Sequence, residues 1–287
     1  MIAANPRFTI RLLDNEKRIP AAALNLAIQQ ARGDMVLRLD AHCEGAPDFV
    51  RKNVEVLLRT GAACVGGCVT SVGEGRTGRA VALAMSSPFG VGNAHFRYAR
   101  EERVVDAVAY GAYRRSVFGE IGLYDEDLVY SEDNELNDRL TRAGRKVLLS
   151  PEIRVTYFAR ETLGALWRQY FNYGFGRVRY MVRAPASVRL RHVAPLALVL
   201  TLVTSLALGV LDRRFLLVFA GVIAAWIGAA LLASVRICLR QGWESFLRLP
   251  AAFACQHFGY GVGQFAGALD VLLSLRPGSK SRPAGSR

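Results

Sequence analysis

Two apolar runs, Ala194–Leu211 and Phe215–Val235, hold no charged residue over 18 and 21 positions and are separated only by Asp212-Arg213-Arg214. At 1.5 Å of rise per residue, each reaches across a hydrocarbon layer of about 30 Å, the first only just. The three-residue connection leaves room for nothing but a tight hairpin, so two adjacent membrane-crossing helices are expected. The plain alternative is a helical hairpin buried in a soluble core. Arg177, Arg179, Arg183, Arg189 and Arg191 precede the first run, and Arg236 and Arg240 follow the second. The positive-inside bias then puts both flanks in the cytoplasm and the hairpin outside, a multi-pass arrangement. Phe246–Leu275 is also apolar, but Arg248, Gln256, His257 and Asp270 interrupt it and Gly259, Gly261, Gly263 and Gly267 punctuate it. It reads as a third span, a re-entrant segment or an interfacial helix. His257 within it is either a functional polar group or a residue facing water.

Charge follows the same division. Residues 1–176 carry 23 Lys/Arg and 21 Asp/Glu, a net +2, whereas residues 177–287 carry 14 Lys/Arg and three acids, a net +11. Basic charge concentrated beside apolar runs fits a membrane flank and argues against a nucleic-acid face, because no basic stripe with interleaved aromatics occurs in residues 1–176. The expected organisation is a polar domain over 1–176, a basic linker over 177–193, the hairpin over 194–235, the third apolar segment over 246–275 and a basic tail over 276–287. The five cysteines lack the paired spacing of a zinc site and read as small core residues in a reducing compartment. The first residues show no secretory leader, so the polar domain is expected to face the cytoplasm.

Within 1–176, β-like runs alternate with helical ones. Phe8–Leu13, Met35–Leu39, Ala62–Thr70, Val104–Tyr110, Val147–Leu149 and Arg154–Phe158 read as strands. Pro20–Ala31, Asp48–Arg59, Arg114–Ile121, Glu132–Arg142 and Thr162–Tyr173 read as helices. The alternation argues for an α/β domain with a mostly parallel sheet.

Three clusters carry chemistry. In LRLDAHCEGAPD a strand runs into Asp40, which puts a carboxylate at the carboxyl edge of the sheet, where α/β folds bind ligands. If the chain stays extended, His42 projects to the same side and the pair shares a divalent cation; otherwise both only satisfy loop backbone. In LYDEDLVYSEDNELNDRL, acids lead into a helix near Glu132. They act there as caps, or Asp133 serves as a general base toward a hydroxyl. In RQYFNYGFGRVR, Gln169 and Tyr173 share a helix face amid aromatics that read as packing, and Gln169 needs a partner. Arg18 before a helix start, and Asn25 within it, either meet a phosphate or ribose or are ordinary surface residues.

In this order the stretches NEKRIPAAALNLAIQQARGDMVLRLDAHCEGAPDFV, SSPFGVGNAHFRY, AYGAYRRSVFGEIGLYDEDLVYSEDNELNDRLTRAG and LWRQYFNYGFGR resemble family 2 glycosyltransferases of the GT-A fold. Within that family they are similar to the ExoA-type branch of bacterial succinoglycan and exopolysaccharide synthesis. The resemblance implies an inverting, membrane-anchored enzyme of the bacterial inner membrane, moving a sugar from a UDP-sugar to a saccharide or lipid-linked acceptor. It implies Mg²⁺ or Mn²⁺ on Asp40 and His42, with Arg18 and Asp40 toward the nucleotide sugar. It makes Asp133 the catalytic base, with Glu132 and Gln169 in the acceptor site. Asn172 and Tyr173 stand where the Q-x-x-R-W motif has Arg and Trp, which favours single-sugar addition over polymerisation. Family members begin with a strand and a D-G-S-x-D-x-T-like stretch that hold uridine. This chain starts at what resembles the second strand, so the expectation is a shortened domain. The alternative is a catalytically inactive membrane scaffold of a polysaccharide synthase complex.

Overall fold

The computed structural model describes residues 9–92, 94–128, 130–185, 188 and 190–274, with backbone alone at 190 and 191. Phe8, Arg189, the Arg191 side chain and the basic tail Arg276–Arg287 lie outside the described residues. Six strands form one sheet: β1 (Met35–Leu37), β2 (Cys43–Gly45), β3 (Cys64–Val72), β4 (Arg103–Val104), β5 (Ala112–Arg114) and β6 (Val147–Phe158). Their order is β1-β5-β3-β6-β2, with β4 also on β6. The α/β expectation holds, but the sheet is mixed rather than mostly parallel. Only β3 and β6 run parallel, while β5 is antiparallel to both β1 and β3, and β2 and β4 are antiparallel to β6.

β6 is longer than expected. The two short strands foreseen at 147–149 and 154–158 are one, continuous through Pro151, with a register irregularity opposite Gly67/Cys68. A Cβ at Gly67 would collide with the Ile153 carbonyl, so glycine is what lets the two strands stay paired there. Residues 9–13, expected as strand, form no ladder, and Ile10 and Leu12 stand exposed. The strand foreseen at 104–110 shrinks to the two residues of β4.

Pleating sends alternate side chains to opposite faces. Cys64, Val147 and Leu149 pack with Ala21 and Ile28 of α1 (Pro20–Gln30), Val117 and Phe118 of α5 (Ser116–Ile121), and Leu136 and Leu140 of α6 (Glu132–Arg142). Val65, Leu148 and Val155 face the other way. They meet Val56 and Leu57 of α2 (Phe49–Thr60), Val81 and Met85 of α3 (Gly75–Met85), and Leu166 and Tyr170 of α7 (Leu163–Arg183). A short helix, α4 (Pro88–Val91), follows α3.

The apolar part is three helices: α8 (Leu190–Leu208), α9 (Arg214–Gln241) and α10 (Leu249–Ser274). Among the described residues α9 is the one helix long and apolar enough to cross a membrane. The first run ends as a helix at Leu208, with a turn closed by Gly209 N–H on Ser205 O and Asp212 N–H on Leu208 O. Among the described residues its apolar part is His192–Leu208, below the length of a candidate span, so the described residues hold one helix of spanning length where a pair was expected.

α10 is gripped rather than free. Cβ atoms at Gly259, Gly263 and Gly267 would press on Trp167, Phe171 and Phe175 of α7. The two series advance together by four residues, so the helices run parallel along a glycine stripe that lets their backbones approach. This contact also explains why α7 continues ten residues past the expected end at Tyr173. Phe253 and Leu249 reach the same core as Val65, and Gln256 Nε2 donates to Tyr170 Oη at 2.9 Å.

The glycine stripe generates a test. Gly263→Leu should lower the unfolding free energy by about 2 kcal/mol or more, because the Phe171 carbonyl cannot yield. Gly221→Leu on α9, where nothing lies within 4 Å, should cost little. Thermal unfolding in detergent reads both, and equal midpoints for the two variants would refute the packing.

Candidate active site

β1 delivers the chain to the sheet edge, where Arg38 N–H bonds Gly111 O at 3.1 Å. The backbone then turns instead of staying extended. Cys43 N–H donates to Asp40 O at 3.2 Å and Cys43 Sγ donates to the same carbonyl at 3.0 Å. β2 leaves this turn paired with β6, Phe158 N–H bonds His42 O at 3.2 Å, and the His42 ring meets Tyr157 edge-on at 5.2 Å. Asp40 and His42 are therefore neighbours through a turn, not through strand periodicity.

Arg38 organises the acids. Its Nε and Nη2 fork onto Asp40 Oδ1 and Oδ2 at 2.8 and 3.1 Å, and Nη2 also lies 3.3 Å from Glu132 Oε1. Burial works against its charge, but the Asp40 hydrogen bonds and the Asp133 and Asp40 charges outweigh it and raise its pKa. Sequence reasoning missed Arg38. The signal available was a cation inside a strand, two residues before Asp40 and so on the same side of the pleat.

The chain enters α6 through Ser131 in the left-handed region at φ +70°. Glu132 follows, buried, its carboxyl pushed up to about 7 by desolvation and the adjacent Asp133 charge, against the pull of Arg38. Asp133 Oδ1 accepts from Asn134 N–H at 2.7 Å and Asn134 Nδ2 at 3.1 Å, so part of its capping role is real. Its charge also acts on Arg38, which places Asp133 within electrostatic reach of the Asp40 turn.

Gln169 of α7 finds its partners in two phenols. Nε2 donates to Tyr157 Oη at 2.8 Å and Tyr173 Oη at 2.9 Å, while Oε1 is buried without a partner among the described residues. Tyr157 thus links His42 to Gln169, and Arg97 lies over its ring at 5.2 Å. Neither Tyr157 nor Arg97 was anticipated as part of a site. Arg18 is exposed at φ +54°, and among the described residues no contact joins its side chain to Asp40 or His42. Asn25 is structural. It donates to Tyr124 O and Glu126 Oε1 and accepts from Tyr124 N–H, all at 2.9 Å, tying α1 to the segment before α6.

Among the described residues no group of three or more His, Cys, Asp and Glu is arranged to hold a metal. Asp40 and His42 supply two hard or borderline donors, the number a cation needs when a diphosphate provides the rest. Desolvation, with the Arg160 and Arg38 charges, lowers the His42 pKa against the pull of Asp40, favouring the neutral imidazole a metal requires. The pair fits a divalent cation once Arg38 yields an Asp40 oxygen.

Residues 2–122 match the family described as Glycosyl transferase family 2. The chain is 34% identical over 190 residues to the succinoglycan biosynthesis protein ExoA of Rhizobium meliloti (strain 1021), covering 66% of this chain and 58% of that protein. It therefore spans little more than half the length of that relative. It is 26% identical over 266 residues to the dolichyl N-acetyl-alpha-D-glucosaminyl phosphate 3-beta-D-2,3-diacetamido-2,3-dideoxy-beta-D-glucuronosyltransferase of Methanococcus voltae, covering 91% and 78%. Among solved structures, GalNAc-T7 with UDP, GalNAc and Mn²⁺ aligns at TM-score 0.40 and 21% identity over 56% of this chain and 35% of that one. S. aureus TarS 1-349 with UDP aligns at 0.38 and 13% over 94% and 75%.

A pH dependence follows from Glu132. Its carboxyl rises from 4.5 to about 7 on folding, so the native state holds a proton the unfolded chain has released between those values. The stabilisation is fully present below about pH 4.5 and lost as pH rises through about 7. Unfolding free energy should fall across that window by on the order of 3 kcal/mol at most. Glu132→Gln should flatten the decline in denaturant titrations run at a series of pH values; an unaltered slope would overturn the assignment.

Proposed function

We propose, from the match of residues 2–122 to Glycosyl transferase family 2, that the chain is a membrane-anchored, inverting transferase that moves a sugar from a UDP-sugar to a saccharide or lipid-linked acceptor in exopolysaccharide synthesis. The observation that carries the reading is the meeting of Asp40 and Glu132 on Arg38 at one edge of the sheet, with Asp133 next to Glu132 and its charge acting on Arg38. An acceptor hydroxyl there meets Asp133 as general base, and attack from the face opposite the departing diphosphate inverts the anomeric centre. Glu132, its carboxyl pushed up by burial and the adjacent Asp133 charge, contacts a sugar hydroxyl beside Asp133. Gln169, whose Oε1 lacks a partner among the described residues, takes a hydroxyl of the acceptor.

Asp40 and His42 would hold Mg²⁺ or Mn²⁺, which would supply Lewis-acid neutralisation of the leaving diphosphate. Arg38 keeps both Asp40 oxygens oriented until they are needed and prevents the carboxylates from repelling one another. Arg18, beside the start of α1, is assigned to the nucleotide. α9, with Leu217, Leu232 and Leu239 exposed, is the anchor, and α8 accompanies it as the second arm of a hairpin.

One observation favours a second reading, an inactive scaffold in a synthase complex: Arg38 engages both oxygens of the carboxylate the metal would use. Turnover decides between them. With UDP-glucose, other UDP-sugars and Mn²⁺, the detergent-solubilised chain should release UDP. Asp133→Asn should lower that rate by about 10²–10⁴-fold while leaving UDP binding intact. Undiminished turnover in Asp133→Asn sinks the base; no turnover with any UDP-sugar, and no UDP binding, leaves the scaffold.

A further inference from the structure

Arg97 sits in the 3-10 turn His95–Arg97, between α4 and β4, within the stretch SSPFGVGNAHFRY but with no role assigned to it from the sequence. It is half-buried, and no carboxylate pairs with it among the described residues. Nη1 donates to Ser71 Oγ at 2.6 Å, and its guanidinium carbon lies 5.4 Å from the centre of the Phe96 ring and 5.2 Å from that of Tyr157. Ser71 and Tyr157 are register partners on β3 and β6, so the strand pair holds the two groups that fix the guanidinium. By contrast, Arg38 is paired with Asp40 and Glu132, and Arg139 with Glu135.

A half-buried cation with no counter-charge is unfavourable unless something negative arrives. The place is a built one. Tyr157 joins Arg97 to His42 on one side and to Gln169 on the other. Burial raises the phenols of Tyr170 and Tyr173, and the Arg97 charge opposes that rise, so it extends to the aromatic face of α7. Arg160, three residues beyond Tyr157, is exposed, has no partner among the described residues and adds positive charge at His42. The neighbourhood of Asp40 is thus divided: acids neutralised by Arg38 on one side, and cations without acids on the other. A planar guanidinium with unused donors, braced on two rings, matches the tetrahedral oxygens of phosphate.

We propose that Arg97, assisted by Arg160, is a phosphate-binding residue that holds a phosphate or diphosphate group over Tyr157, beside His42. The proposal rests on the transferase reading only for the source of the phosphate, either the diphosphate of the nucleotide sugar or the phosphate of a lipid-linked acceptor. Recognition of the anion itself follows from the geometry.

The test uses the whole chain in detergent, with calorimetric titration of inorganic pyrophosphate, UDP, farnesyl phosphate and, as a control, uridine. Arg97→Met keeps the stem against Tyr157 and Phe96 while removing charge and donors; Arg97→Lys keeps the charge. Arg97→Met should weaken a phosphate probe by about tenfold or more, Arg97→Lys by less, and Arg160→Ala by a few-fold, with uridine unmoved. Loss with pyrophosphate and UDP makes the site the donor's, and loss with farnesyl phosphate alone makes it the acceptor's; either supports the proposal. Equal phosphate affinities in wild type and Arg97→Met, or no phosphate binding by wild type, overturn it. Failure of the transferase reading looks different: phosphate binding remains dependent on Arg97 while no UDP-sugar is turned over.

Discussion

β6 is the constraint on which the rest depends. One side of it pairs in parallel with nine residues of β3, with a register shift at Gly67/Cys68, and the other is shared between β4 at its start and β2 at its end. Its first half therefore builds the core under α1, α5 and α6, while its second half carries the site. Tyr157 receives Gln169, supports Arg97 and faces His42, and Phe158 N–H holds the His42 carbonyl. Hydrogen bonding along a single strand transmits the rigidity of a buried sheet to loops that would otherwise be free to move.

At the site, Arg38 holds the acids together. Asp40, Glu132 and Asp133 come from two elements 92 residues apart in sequence, and three like charges in a half-buried space repel. One guanidinium bridging Asp40 and Glu132, with burial and the Asp133 charge pushing the Glu132 carboxyl up, lets them converge.

The apolar third of the chain is not an appendage. α10 lies along α7 through glycines at four-residue spacing and buries Gln256 and Gln264, the latter donating to His192 O at 2.6 Å. His257, a candidate for function at membrane depth, instead joins Trp226 of α9 to Phe89 O of α4. Polar groups that looked expensive in a hydrophobic segment are joints between helices and the α/β domain.

The division between what was legible and what was not has a physical cause. Local periodicity and capping chemistry determined the helices Pro20–Gln30, Phe49–Thr60 and Glu132–Arg142 to within a residue or two, the α/β class, and the charge-free run Phe215–Val235 inside α9. Asp40, His42, Glu132, Asp133 and Gln169 were legible as candidates because acids at a strand end and a helix start, or a lone amide among aromatics, demand partners. What those partners are was not legible. The antiparallel placement of β5 and β2, the fusion of two short strands into β6, the bridging role of Arg38 and the meeting of Arg97 with Tyr157 all join residues far apart in sequence. Their energies depend on distance, burial and counter-charge, which exist only once the sheet has closed. Sequence by itself set the inventory of charges and apolar faces, and the tertiary structure alone decided which charges were neutralised and which were left facing an empty edge.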